Sequence, residues 1–278
     1  MPEIKQFALS RLLLPRLISL INVPPSKKTM LHVHASEVAK LIGDNPFEKP
    51  DAALLTVLSR TSKWRTVISN ARQELGILTE QQVLDQVQPE TLQQSVLDAC
   101  NAKSEADIVK AVESVVQSNP QLSKPVLEAA IVKERGARLE QAVLNDYERK
   151  HDTKVGMRNS QRYQLLGDVY VITGYIDGFD SAQNVLIEVK NRRRHWRTVP
   201  VYDLTQMRVY LAMLTPAVTD KLVQGKLVER FPDGSVRETS VSVCPKEWER
   251  IHTALCSVAQ RVQALTEADV IGMVRSLI

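Results

Sequence analysis

"YQLLGDVYVITGYIDGFDSAQNVLIEVK", Tyr163 to Lys190, decides the fold class. "YQLLGDVYVITGYIDGFD" and "NVLIEVK" are short β-branched runs separated by the turn-like stretch Asp180 to Asn184, the pattern of strands. Strand side chains alternate, so Glu188 and Lys190 project from one face while Val185, Ile187 and Val189 project from the other. Burying an unpaired carboxylate is costly, so such a strand must expose its charged face or give the charges partners. Asp177, next to Gly178 at the end of the preceding strand, supplies a second carboxylate if the two strands pair as a hairpin. Two carboxylates and an ammonium then converge. Hard oxygen donors, few in number and leaving room for water and phosphate oxygens, suit Mg²⁺ or Mn²⁺ rather than zinc. An isolated Glu-x-Lys is ordinarily a surface ion pair, so its surroundings have to decide.

Upstream, "KERGARLEQAVLNDYERKH" reads as a helix on which Gly136, Ala137, Glu140, Val143, Leu144 and Tyr147 share one face, while Arg135, Arg138, Asn145, Asp146 and Arg149 point elsewhere. Glu140 therefore sits in the apolar stripe, where a carboxylate needs a metal, a cationic partner or a raised pKa. Downstream, a helix from about Pro200 to Leu214 carries an apolar face of Leu204, Met207, Leu211 and Leu214. Gln206 and Tyr210 lie beside that face, four residues apart. Between Lys190 and this helix lies "NRRRHWR". Residues 191 to 210 hold Arg192, Arg193, Arg194, Arg197 and Arg208 against Asp203, and five minus one gives +4, equal to the net charge of the whole chain. A basic patch that includes Trp196, directly after the lysine, fits a groove for a phosphate backbone; the alternative is a solvated loop.

The rest of the chain frames this region. Lys221 to Arg230 and Val236 to Val243 flank Pro232-Asp233-Gly234 as a hairpin, and helices close the chain. "SEVAKLIGDNPF" begins a short helix with Ser36 as its N-cap, and residues 52 to 147 read as successive helices broken near Gly76, Pro89, Asn101 to Ser104 and Asn119-Pro120. No aromatic residue lies between Trp64 and Tyr147, so a core there is aliphatic. The expected organisation is an N-terminal basic and apolar segment (1–28), then one domain (29–278) with a largely helical lobe (29–125) and a mixed α/β core (126–278). The first segment has the composition of a mitochondrial transit peptide, but Pro15 interrupts the helix such a peptide needs, and a short packing helix reads better. With 44% hydrophobic and 24% charged residues, the chain is neither disordered nor fibrous. No apolar run is long enough for a bilayer span, so no membrane partner is expected. Three scattered cysteines, Cys100, Cys244 and Cys256, fit no disulfide framework, zinc site or iron–sulfur cluster and point to a reducing, intracellular setting, cytoplasm or nucleus.

Four segments in order, "GARLEQAVLNDY", "GYIDGFD", "VLIEVK" and "QMRVY", resemble the PD-(D/E)XK nucleases. Within them the chain is similar to the branch of RecB-like nuclease domains and phage-lambda-type exonucleases (YqaJ viral recombinases). "HASEVAKLIGDNPF" also resembles the first helix of the phage-type branch, in which a serine at the position of Ser36 lies near the DNA end. Ile176 stands where the family name has proline, and the lack of a four-cysteine set separates the chain from the iron–sulfur nucleases of that branch. The resemblance implies a restriction-endonuclease-like mixed sheet flanked by helices. It implies Mg²⁺, with Mn²⁺ able to substitute, bound by Asp177, Glu188, the main-chain carbonyl of Val189 and, directly or through water, Glu140. Lys190 would orient the attacking water, and Gln206 and Tyr210 would brace the site and meet the DNA backbone. The implied activity is DNA hydrolysis, in the form of an exonuclease serving recombination or repair, with a homo-oligomer and a single-strand annealing partner as further expectations. The alternatives are a DNA-binding protein that keeps the fold without hydrolysis, which intact Asp177, Glu188 and Lys190 oppose, and a dimeric endonuclease.

Overall fold

Strand β7 (Val185–Asn191) is the middle strand of a five-stranded sheet in the computed structural model, which describes residues 7–8, 30–160, 162–218 and 223–278, without the side chains of 7–8 and 215–218. The order is β3 (Val155–Gly156), β6 (Gly178–Asp180), β7, β8 (Gln224–Arg230) and β9 (Val236–Val241). β6 and β7 form the expected antiparallel hairpin, with Gly178 opposite Ile187. Asp180 turns the chain by accepting the N–H groups of Ala182 and Gln183, and Asn184 takes a left-handed φ of 58°, which Asn tolerates better than most residues. β8 pairs in parallel with β7 after helix α8 (Val201–Val218), then returns antiparallel as β9.

A second sheet of four strands holds β1 (Phe7–Ala8), β4 (Arg162–Leu166), β5 (Tyr170–Tyr175) and β2 (Leu31–His34), in that order. The quoted stretch thus serves both sheets. It leaves one after Tyr175, buries Ile176, and enters the other at Gly178, with Asp177 at the crossing. Glycine is required there by close approach, because a Cβ on Gly178 would lie 2.3 Å from Val155 Cγ1.

The alternation read for β7 holds. Val185, Ile187 and Val189 pack with Val228 against Val143, Leu144 and Tyr147 of the long helix α7 (Lys124–His151). On the other face Leu186 and Leu227 join Met207 and Leu211 of α8 in the principal core. That core also takes in α1 (Ala35–Leu41), α2 (Pro50–Leu58), α3 (Ser62–Glu74), α9 (Pro245–Ala264) and α10 (Glu267–Arg275). A separate aliphatic cluster, including Val83, Val96, Val112, Val115, Leu127 and Ile131, joins α4 (Glu80–Leu84), α5 (Pro89–Asn101) and α6 (Glu105–Ser118) to the first half of α7. The architecture is the mixed α/β arrangement that the sequence implies, with helices on both faces.

Four details differ from the sequence reading. Leu31–His34 is a strand, parallel to β5, with Leu31 and Val33 buried and His32 and His34 exposed. Ser36 is not the N-cap: β2 runs directly into α1, His34 is the capping residue, and its N–H donates to the Glu37 carboxylate at 2.9 Å. Arg135, expected to point away from the core, is buried and donates to Ala99 O at 2.8 Å, tying α7 to α5. In the N-terminal segment Phe7–Ala8 is a strand parallel to β4, while the remainder of the expected helix or transit segment lies outside the described residues.

Glu238 on β9 fastens the end of α7 to this sheet through Lys150 (2.8 Å), His151 (2.9 Å) and Lys226 (3.3 Å). Burial works to raise its pKa, but these donors outweigh it and hold the carboxyl at about 2. A carboxyl depressed in the folded state stabilises the fold above its unfolded value and stops doing so as pH falls from 4.5 towards about 2. Glu238→Gln is expected to lower stability at pH 7 by about 1 kcal/mol, given partners that are partly in solvent. Urea midpoints of variant and wild type should converge as the pH is lowered through that window.

Candidate active site

Glu188 and Lys190, two apart on β7, face α8 together. Lys190 Nζ donates to Glu188 Oε1 at 2.9 Å and to Gln206 Oε1 at 3.0 Å, and Gln206 Nε2 donates to the same Glu188 oxygen at 2.9 Å. Asp177 Oδ2 accepts the N–H of Val189 at 2.7 Å. An extended residue turns its N–H and C=O to the same side, so the Val189 carbonyl is directed towards Asp177 as well, past the point where pairing with β6 stops at Ile187. Glu140, one turn before Val143 on α7, accepts from Asn159 Nδ2 at 2.6 Å. Asn159 holds this position with a φ of 48° and an N–H bond to Ile176 O.

The electrostatics are those of a buried, acid-rich cluster. Burial raises the pKa of Glu188, and the Asp177 charge raises it further; Lys190 opposes both. Asp177 is raised by burial and by Glu140, and Glu140 by burial and by Glu188. Lys190 is pushed the other way: burial would lower its pKa, but Glu188, Asp203 and Asp177 outweigh it and keep the ammonium charged. Glu188 is only 2% exposed, and its second oxygen, Oε2, is buried without a hydrogen-bond partner. A buried carboxylate oxygen left unpaired costs about 1–3 kcal/mol or more, and a divalent cation satisfies it. The residues present therefore fit a hard cation held by Asp177 and Glu188. Among the described residues no three His, Cys, Asp or Glu side chains gather as a ligand set by themselves.

The structure sorts the remaining sequence candidates. Arg192 is withdrawn from any phosphate: it is 8% exposed and bonds Asp203 at 2.6 Å and Glu229 at 2.8 Å. The sequence reading places Arg192, Arg193 and Arg194 together in one basic patch for a phosphate backbone, but β7 continues to Asn191 and carries Arg192 inward with it. Arg193 pairs with Glu128. Arg194 and Arg197 are exposed, and Trp196 lies between them, partly buried, with the Arg194 guanidinium 4.7 Å above its ring. Tyr210, expected to meet a DNA backbone, is 5% exposed and packed where a Cβ on Gly174 would touch it, so its ring is turned into the core and not towards solvent. Ser36 is exposed at the second position of α1.

Sequence reasoning missed an ionic network behind the site. Asp203 Oδ1 lies 3.7 Å from Lys190 Nζ; Arg192 joins Asp203 to Glu229, and Arg237 donates to Glu229 at 2.6 Å and to Trp196 O at 2.7 Å. The one available signal was Asp203, the single acid in an otherwise basic segment.

No protein-family model matches the chain, and no curated protein matches it by sequence. Its structural neighbours include exonucleases. The chain is similar to a phage-related exonuclease from Haemophilus somnus 129PT, at 12% identity and a TM-score of 0.42 over 84% of this chain and 93% of that one. It is also similar to the alkaline exonuclease LHK-Exo from Laribacter hongkongensis, at 14% identity and a TM-score of 0.39 over 66% and 91%. A structure of LHK-Exo in complex with dAMP gives 12% identity and a TM-score of 0.40 over 88% and 92%. Likenesses of this strength carry neither an activity nor a substrate over to this chain. No described helix is long and apolar enough to cross a membrane.

Proposed function

We propose that the chain is a metal-dependent nuclease that hydrolyses DNA phosphodiester bonds from duplex ends. The observation that carries this reading is the buried, unpartnered Oε2 of Glu188 beside Asp177, with a charged lysine two residues along the same strand. Asp177, Glu188 and the Val189 carbonyl would hold Mg²⁺ or Mn²⁺, and Glu140 would reach it through water. A divalent cation bound there supplies charge neutralisation at the phosphate and a more acidic water. Lys190, fixed by Glu188 and Gln206, orients the attacking water by hydrogen bonding. In the displacement the water oxygen forms the new P–O bond as the bond to the leaving sugar oxygen breaks, with no covalent enzyme intermediate. Action in recombination or repair, a homo-oligomeric state and a single-strand annealing partner belong to this proposal on the strength of the motif resemblance.

Purified protein with Mg²⁺ is expected to digest linear duplex DNA and to leave closed circles intact; cutting of closed circles would make it an endonuclease. Glu140→Gln should slow hydrolysis less than changes at Asp177 or Glu188, and should weaken the Mg²⁺ isotherm in calorimetry; an unchanged isotherm would remove Glu140 from the site.

Arg194 and Arg197 are the exposed cations of the loop, so Arg194→Ala/Arg197→Ala should flatten the dependence of log affinity on log salt by roughly 1.8, about 0.9 per phosphate contact. Arg192→Ala should not act this way, since its guanidinium is already neutralised. Anisotropy titrations between 50 and 200 mM salt, roughly the range over which such contacts are lost, check both.

A further inference from the structure

Phe47 is 68% exposed, a large apolar ring in solvent on the loop between α1 and α2. The loop is not loose. Asp44 is clamped by Arg250 through two bonds of 3.0 and 2.8 Å and accepts from Thr205 of α8 at 2.5 Å, and Lys40 pairs with Glu48 at 2.5 Å. Phe47 therefore stands in solvent because its backbone is held there. Its ring meets Trp196 edge-on at 6.3 Å and Tyr202 at 6.0 Å. Trp196 is itself pinned, its carbonyl accepting from Arg237, and its ring carries the Arg194 guanidinium. Arg197, one residue on, is exposed and makes no ion pair among the described residues. Tyr202 is the neighbour of Asp203, which touches Lys190, so the cluster adjoins the candidate active site.

Aromatic faces beside unpaired guanidinium groups are the chemistry of single-stranded nucleic acid: bases stack on the rings while the cations follow the phosphates. Paired bases inside a duplex offer no free face. We infer that Phe47 and Trp196 form a stacking platform for unpaired nucleotides next to the active site, with Arg194 and Arg197 holding their phosphates. This inference rests on the nuclease reading and adds to it a substrate preference, for ends that carry or can release a single-stranded segment.

The test is fluorescence anisotropy with chelator present, so that nothing is cut, comparing a blunt duplex with duplexes bearing a short single-stranded extension at either end. Wild-type protein should bind an extended duplex more tightly than the blunt one. Phe47→Ala should reduce that ratio about tenfold, Phe47→Leu should reduce it as much because it keeps the bulk but loses the π face, and Phe47→Tyr should restore it. Because Phe47 is mostly in solvent, the melting temperatures of all three should match that of the wild type. Equal binding of blunt and extended duplexes by the wild type, or a ratio that Phe47→Leu preserves, overturns the platform while leaving the nuclease reading standing. No binding to any of these duplexes overturns the platform, and hydrolysis of linear duplex with Mg²⁺ decides the nuclease reading separately.

Discussion

Glu188→Gln, Asp177→Asn and Lys190→Met are each expected to lower DNA hydrolysis by about a thousandfold or more, with the fold retained. On the proposed function the magnitude follows from what each would remove: a charged ligand of the cation in the two acids, and the group that orients the water in the lysine, at a site where preorganised charge contributes most of the rate. Near-isosteric changes are the right test. Glu188→Ala would leave Lys190 without its nearest acceptor in a mostly buried setting, and loss of activity could then reflect local rearrangement. The readout is release of acid-soluble nucleotides at saturating Mg²⁺, with circular dichroism to confirm folding. Near wild-type turnover by any of the three removes that residue from the site.

Glu229→Ala should produce the largest loss of stability. Glu229 is fully buried on β8 and accepts from both Arg192 and Arg237. Removing it leaves Arg237 without its acid and Arg192 sharing only Asp203, and breaking a buried pair this way costs about 3–5 kcal/mol. The loss should appear as a lower urea midpoint with unchanged slope. It should also reach the active site, because Arg192 orients Asp203 and Asp203 lies beside Lys190. A midpoint within about 1 kcal/mol of the wild type would mean that the network contributes geometry without stability.

The pairing that builds the site was legible in the sequence because strand alternation is a strict rule. Once Val185, Ile187 and Val189 were assigned to one face, Glu188 and Lys190 had to share the other, and the structure has them so. The Glu140 stripe was legible only in part: Val143, Leu144 and Tyr147 are buried and Glu140 is half-buried, but Ala137 is exposed. Arg192 was misread because charge composition says nothing about where a strand ends: one more residue of β7 turned a loop arginine into a buried one. Arg135 shows the same limit: it was expected to point away from the core, and the group that it meets on being buried, Ala99 O on α5, is 36 residues away. Leu31–His34 was missed although its apolar-polar alternation is regular, because four residues are too few to outweigh the helical signal that follows. Phe47 could not be read at all. A phenylalanine in a loop reads as core, and only the clamp on Asp44 shows that it is held outside.

The most direct measurement is hydrolysis of linear duplex DNA by the purified protein, with Mg²⁺ and with excess chelator, run side by side with Glu188→Gln. The proposed function requires nucleotide release by the wild type with metal, none with chelator, and none from the variant under either condition. Release that persists in chelator, or that Glu188→Gln supports as well as the wild type, would contradict a cation site built on Glu188.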